Sequence, residues 1–161
     1  GSLRIYGCHA GDATHPVGER VVALRAEERA LGLERIETYD AFNEQVRETK
    51  RAILSFLIEA KRAGKRVAGY GAPGKGNTLL NYCGIRTDFI DFTVDRNPHK
   101  AGKYTPGARL PILDPAAIRE AKPDYLFVLP WNLRQEIMEQ CAYIREWGGK
   151  FVFPIPRIEI V

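Results

Sequence analysis

The stretch GYGAPGKGNTLLNYCGI, residues 69–85, holds the densest run of glycine in the chain, and its spacing admits three kinds of chemistry. A phosphate-binding P-loop requires G-x-x-x-x-G-K-[ST], with the final hydroxyl on magnesium. Gly69 to Lys75 fits as far as the lysine, but Gly76 stands at the hydroxyl position and Thr78 comes too late, which argues against an NTPase. A dinucleotide fingerprint fits better: Gly69, Gly71 and Gly74 form G-x-G-x-x-G, and Asp95 follows roughly 20–26 residues on, where an acid would hold ribose hydroxyls. Against it, Pro73 stiffens the loop, and the helix expected next, Asn77 to Cys83, has only about two turns and so a weak dipole. In the third reading the glycines only permit a tight turn between a strand and a helix.

Other polar residues are expected near the same turn. In open parallel sheets, ligands sit beyond the C-terminal ends of the strands. The first strand leads into Gly71 to Asn77. The second leads into Asp95, Asn97, His99, Lys100, Lys103 and Tyr104, and the third into Pro130, Trp131 and Asn132. On one rim, Lys75, Lys100 and Lys103 could neutralise a diphosphate, and Trp131 or Tyr104 could stack on a base or sugar.

The elements that would position these residues follow from period and punctuation. Residues 3–8 (LRIYGC) read as a short strand, and 17–31 as a helix ending near Gly32. Asp40 can cap a long amphipathic helix in which Phe42, Val46, Ile53, Leu57 and Ala60 recur at spacings near three and four. Lys61 and Arg62 suit its last turn and Gly64 its left-handed stop. Strands are expected at 66–70, 89–94, 124–129 and 150–153, with a polar loop over 95–111 and an alternating edge strand at 157–161. Asp114 with Pro115 starts one helix. Asn132 with Gln135 resembles a capping box for another that runs to Trp147. Strand and helix alternating at this spacing imply an α/β, Rossmann-like domain over residues 38–161, with a mostly parallel sheet covered by helices on both faces. Residues 1–37 form a leading strand and helix, and strand 3–8 is expected to pair antiparallel with 157–161.

Composition sets the outer bounds. A length of 161 residues suits one domain with a proper core. The net charge of +4 suits an anionic small ligand and is too weak to argue for nucleic acid. No run of 18 apolar residues and no charged-then-apolar leader occurs, so neither a membrane span nor secretion is expected. Cys8, Cys83 and Cys141 are scattered without a CxxC pair, which points to a reducing, cytoplasmic setting and against a zinc knuckle. The chain opens Gly-Ser rather than Met, as a cloning scar or a piece of a longer protein would; the longer protein is the expectation.

Three segments in order, GYGAPGKGNTLLNYCGI, VDRNPHKAGKYTPG and DYLFVLPWNLRQEI, closely resemble the C-terminal domain of the S-adenosylmethionine-dependent sugar C-methyltransferases. The opening GSLRIYGCHAG resembles the junction at which that domain begins, so the likeness covers nearly the whole chain. The resemblance implies three parts in one polypeptide: a zinc domain, a methyltransferase domain binding S-adenosylmethionine, and this Rossmann-like domain. Such enzymes methylate a carbon of a nucleotide-linked keto-deoxysugar: a base removes the proton beside the carbonyl and the enolate attacks the methyl group. The nucleotide sugar lies between the middle and last domains. The implied contributors here are Gly71, Lys75, Asn77, Asn97, Lys100, Lys103, Tyr104, Trp131 and Asn132. The family's zinc cysteines, methyl-donor glycine motif and catalytic residues match nothing in this chain. S-adenosylmethionine and zinc are therefore expected upstream, and this piece alone is expected to be inactive. Its implied partners are the nucleotide-linked sugar and the upstream methyltransferase domain, with no nucleic acid or membrane.

Two rivals remain open at this point. One is an NAD(P)-binding oxidoreductase domain, with Asp95 favouring NAD and Arg96 able to accept a 2′-phosphate. The other is a structural module whose glycine turn holds no ligand. Lesser signals are discounted. Cys8, His9 and His15 lack a fourth partner in zinc spacing. Cys83 has no histidine near it in sequence and reads as a buried helix-end thiol. His99 reads as an exposed loop residue, and Asp88 and Asp91 as turn caps.

Overall fold

The computed structural model describes residues 3–161; the opening Gly-Ser pair lies outside the described residues. Two compact units are present, Gly1–Glu44 and Gln45–Val161. The first holds helix α1 (Glu19–Ala30) and the start of helix α2 (Ile36–Arg62). Between them Gly32 turns the chain at φ +72°, and Thr38 Oγ1 donates to its carbonyl at 2.7 Å.

The second unit is built on a sheet of β1 (Val67–Tyr70), β2 (Thr93–Val94), β3 (Ile112–Leu113), β4 (Tyr125–Val128), β5 (Lys150–Phe153) and β6 (Glu159–Ile160). The strand order is β3-β2-β1-β4-β5-β6. The first five strands are parallel, and β6 closes the edge antiparallel, with Val152 opposite Ile160. This is the doubly wound order, and its direction reverses between β1 and β4.

Strand alternation sends side chains to two cores. Val67, Phe127 and Val152 share one with Ile53, Leu57 and Ala60 of α2 and with Leu80 and Cys83 of α3 (Gly74–Cys83). Ala68, Leu126, Val128, Phe151 and Phe153 share the other with Ile118 of α4 (Ala117–Ala121), Ile137 of α5 (Arg134–Gln140) and Ile144. Helices thus cover both faces, and each fully buried Leu, Ile or Phe contributes about 1.5–3 kcal/mol.

Several expectations are corrected. Residues 3–8 carry no strand: Leu3, Ile5 and Tyr6 are exposed, and the partner expected for them, 157–161, supplies β6, which bonds in the sheet to β5. A strand without a ladder partner leaves its N–H and C=O groups to water and has no reason to persist. Helix α2 begins before Asp40, because Ile36 and Tyr39 extend its apolar spacing upstream. Helix α3 begins at Gly74, three residues earlier than expected. The expected second strand is shortened to Thr93–Val94, since Phe89 and Ile90 fold into a turn on the Arg86 carbonyl, although Asp91 and Phe92 still bond through the backbone to Val67 and Gly69. Ile112–Leu113 forms an unexpected strand, too short to show a period. The expected capping box does not form: Gln135 donates to Glu139 instead, and the helix breaks at Cys141 into α5 and a 3-10 segment, Ala142–Trp147. Asp91 pairs with Lys61 at 2.9 Å.

The glycine turn separates into distinct physical demands. Gly71 sits at φ +81°, and a Cβ there would lie 2.7 Å from Pro130 Cδ. A Cβ on Gly76 would lie 2.8 Å from Leu129 Cβ, so α3 and the end of β4 approach closely only because Gly76 has none. Gly74, the third glycine of the fingerprint, faces open space. Helix propensity alone favours alanine at both helical positions by about 1 kcal/mol. Instead, Gly76→Ala should destabilise by about 1–3 kcal/mol through overpacking, whereas Gly74→Ala should stay within about 0.5 kcal/mol or stabilise slightly. Urea unfolding of both variants checks the contrast.

Candidate functional site

A cavity of about 480 Å³ opens at the C-terminal ends of β1, β2 and β4, where the strand order reverses. That volume lies within the ordinary range for small-molecule sites. Its floor is the glycine turn, Gly71 to Pro73, together with Pro130. One wall comes from the loop after β2 and the other from α5.

The β2 side is a closed clamp on the turn. Asp95 Oδ2 accepts from the Ala72 amide at 2.8 Å and from Lys100 Nζ at 2.9 Å, and Lys100 Nζ also donates to the Ala72 carbonyl at 3.1 Å. The other Asp95 oxygen accepts from the Asn97 amide at 2.9 Å. Burial pushes the Asp95 carboxyl up, but the bonds from Lys100, Asn97 and Ala72 outweigh it and hold the group below the usual carboxylate range. The turn is also tied to β2 by Thr93 Oγ1, which donates to the Gly71 carbonyl, and by the Gly71 amide, which donates to the Val94 carbonyl.

The α5 side is a line of polar groups. Tyr70 OH donates to Gln140 Oε1 at 3.3 Å, and Gln140 Nε2 donates to Glu136 Oε1 at 2.7 Å. That same oxygen lies 3.8 Å from the Arg96 guanidinium, a loose and exposed pair worth little by itself. Desolvation, reinforced by nearby Cys141, pushes the Tyr70 phenol up to about 12, so it stays a neutral donor beneath the cavity. The charged lining is two acids and two bases, Asp95, Glu136, Arg96 and Lys100.

Of the binding residues that the resemblance implies, Gly71, Asn97 and Lys100 line this cavity, as do Asp95 and Pro130 of the expected rim. The charge of Lys100 is already matched by Asp95. Lys75, Trp131 and Asn132 form a second group: Lys75 Nζ lies 4.6 Å from the Trp131 ring centroid and donates to Asn132 Oδ1. Trp131 is half-buried and packs on the core beneath α4 and α5. Asn77 is half-buried in α3, and among the described residues its Oδ1 has no partner. Lys103 and Tyr104 are exposed on the loop, where they bond through the backbone to Ile112 and Pro111, away from the cavity lining.

Glu136, Ile137 and Gln140 line the cavity unforeseen, as does Leu133 just before α5. Their signal was present: positions 133, 136, 137 and 140 share one helical face. Among the described residues no group of three His, Cys, Asp or Glu could hold a metal ion.

Asp95→Asn removes the charge that matches Lys100 and should cost about 1.5–3 kcal/mol near neutral pH. Because the folded carboxyl titrates below its unfolded value, its contribution is fully present above about pH 5 and is lost as pH falls through the depressed value. Urea titrations of the two proteins should therefore differ most near neutrality and converge only once pH has fallen below that depressed value.

The sequence pattern of the C-methyltransferase C-terminal domain family matches residues 1–156. C-methyltransferase NovU of Streptomyces niveus is 36% identical over 161 residues, which is 100% of this chain and 38% of that protein. The chain thus spans well under half the length of this curated relative. A solved structure, UDP-D-quinovosamine 4-dehydrogenase of Vibrio fischeri, superimposes with a TM-score of 0.44 at 18% identity, over 60% of this chain and 93% of that one. Matched along nearly its whole length, this chain belongs to the C-methyltransferase C-terminal domain family.

Proposed function

We propose that this chain is the C-terminal domain of a longer S-adenosylmethionine-dependent C-methyltransferase acting on a nucleotide-linked keto-deoxysugar, and that its sheet rim forms one wall of the sugar-nucleotide cleft. The observation that carries the reading is the cavity at the strand reversal, in a chain of this family. Its lining is electrically balanced and rich in fixed donors and acceptors. That chemistry suits sugar hydroxyls and a carbonyl better than an isolated diphosphate, whose charge would need unpaired cations. Arg96, only loosely paired, and Lys75, resting on Trp131, are the cations able to turn toward phosphate oxygens.

The residues of this domain bind and orient; none is assigned to the methyl transfer itself. S-adenosylmethionine, held by the portion outside this chain, supplies the methyl group, and zinc belongs to that portion too. This chain alone is inactive in this reading.

One observation favours an NAD(P) domain as second reading. Helix α3 begins directly after the glycine turn, and its N-cap residue, Pro73, makes no side-chain cap, which leaves amide donors for an anion. Against it, three of the roughly four acceptor positions of Asp95 are already occupied within the fold, so the acid expected to hold ribose is engaged elsewhere.

Calorimetric titration with thymidine diphosphate, NAD and NADP separates the readings. Thymidine diphosphate should bind in the range of about 0.1–1 mM, weak because half a cleft buries only part of the ligand. Arg96→Ala and Lys75→Ala should each weaken it by about 3–10-fold. Tighter binding of either dinucleotide would overturn the sugar-nucleotide reading.

A further inference from the structure

Helix α2 carries one straight apolar stripe in two different environments. Tyr39, Phe42, Val46, Ile53, Leu57 and Ala60 fall within about 60° of one another at 100° per residue. Ile53 and Leu57 are fully buried and Ala60 is 5% exposed, yet Tyr39 and Phe42 on the same face are 51% and 60% exposed. Helix α1 repeats the pattern. Val21, Leu24 and its C-cap residue Leu31 lie on one face by spacing, and α1 buries no residue at all. Among the described residues, eleven of the eighteen exposed large hydrophobics lie in the unit ending at Glu44, about a quarter of the chain. A helix of 12 residues is marginal in water without a packed face, so this unit requires a covering surface.

We infer that the apolar face at the start of α2 in the first unit, centred on Phe42 and Tyr39, docks against the catalytic region of the same polypeptide. The inference rests on the reading of the chain as one domain of a longer transferase. Some 62% of the length of the related C-methyltransferase lies outside the match, and the matched family is a C-terminal domain, so that region precedes this one. A region tethered to the uncovered unit meets it at an effective concentration of about millimolar, which favours it over a second copy arriving from solution.

Amide hydrogen exchange should be compared between this chain and the longer polypeptide, each with and without Phe42→Ser, a side chain with no hydrogen bond to lose. Exchange over residues 39–46 should slow by about 10-fold or more in the longer polypeptide, and Phe42→Ser should abolish most of that protection. In this chain alone the substitution should leave thermal stability nearly unchanged, as expected for an exposed site. Equal exchange in the two proteins overturns the inference. So does protection in this chain that rises with its concentration alongside a doubled mass, which assigns the face to a second copy. Methyl transfer by the longer polypeptide is assayed in parallel: protection without transfer would sink the functional reading and leave the docking face standing.

Discussion

The glycine turn after β1 keeps its shape because the loop after β2 holds it. A chain reversing at positive φ offers its amides and carbonyls to whatever is near, and here each finds a fixed partner. The Asp95–Lys100 pair takes both polar groups of Ala72, and Thr93 with Val94 takes those of Gly71. These bonds join two neighbouring parallel strands at their C-terminal ends, where no ladder continues. The cavity floor and the start of α3 follow from that clamp, as does the position of Pro130 against Gly71. Removing any one partner would leave a part-buried polar group unmatched, a larger loss than the bond itself contributes.

Burial then distributes the remaining sequence. The central strands are apolar on both faces, so their side chains cannot choose water and must be covered twice. The longer helices α2 and α3 cover one face, and shorter α4 and α5 with a 3-10 segment cover the other. The short helices leave room near the strand ends, and it is α5 that turns Glu136 and Gln140 toward the crevice.

Most of this architecture was legible from residue types. The buried strands 67–70, 125–128 and 150–153 stood out as apolar runs, and the stripe of α2 as a repeat of three and four. What escaped was short or satisfied by distant partners. The two-residue strand Ile112–Leu113 has no period to detect. The capping pattern at Asn132 was spent otherwise, since Lys75, far away in sequence, takes the asparagine oxygen. For the site, spacing located the rim but not its charge balance: Lys100 read as a free cation until Asp95 proved to be bound to it. The fingerprint misled at Gly74, which meets nothing, while the close approach falls to Gly76. Motif spacing describes which residues are present, whereas the contact that requires a glycine depends on what lies opposite.

The cation resting on Trp131 has an optical consequence. The chain holds two tryptophans. Trp147 is fixed by a 3.0 Å bond from its indole nitrogen to the Pro123 carbonyl and edges toward Tyr143, on the core side of the sheet. Of the two, Trp131 sits under an ammonium, that of Lys75, at the rim. An electric field of that strength over an indole face shifts its emission, and an anion that draws Lys75 aside would relax the shift. The domain therefore carries its own spectroscopic gauge of the rim, with the second indole as an internal reference.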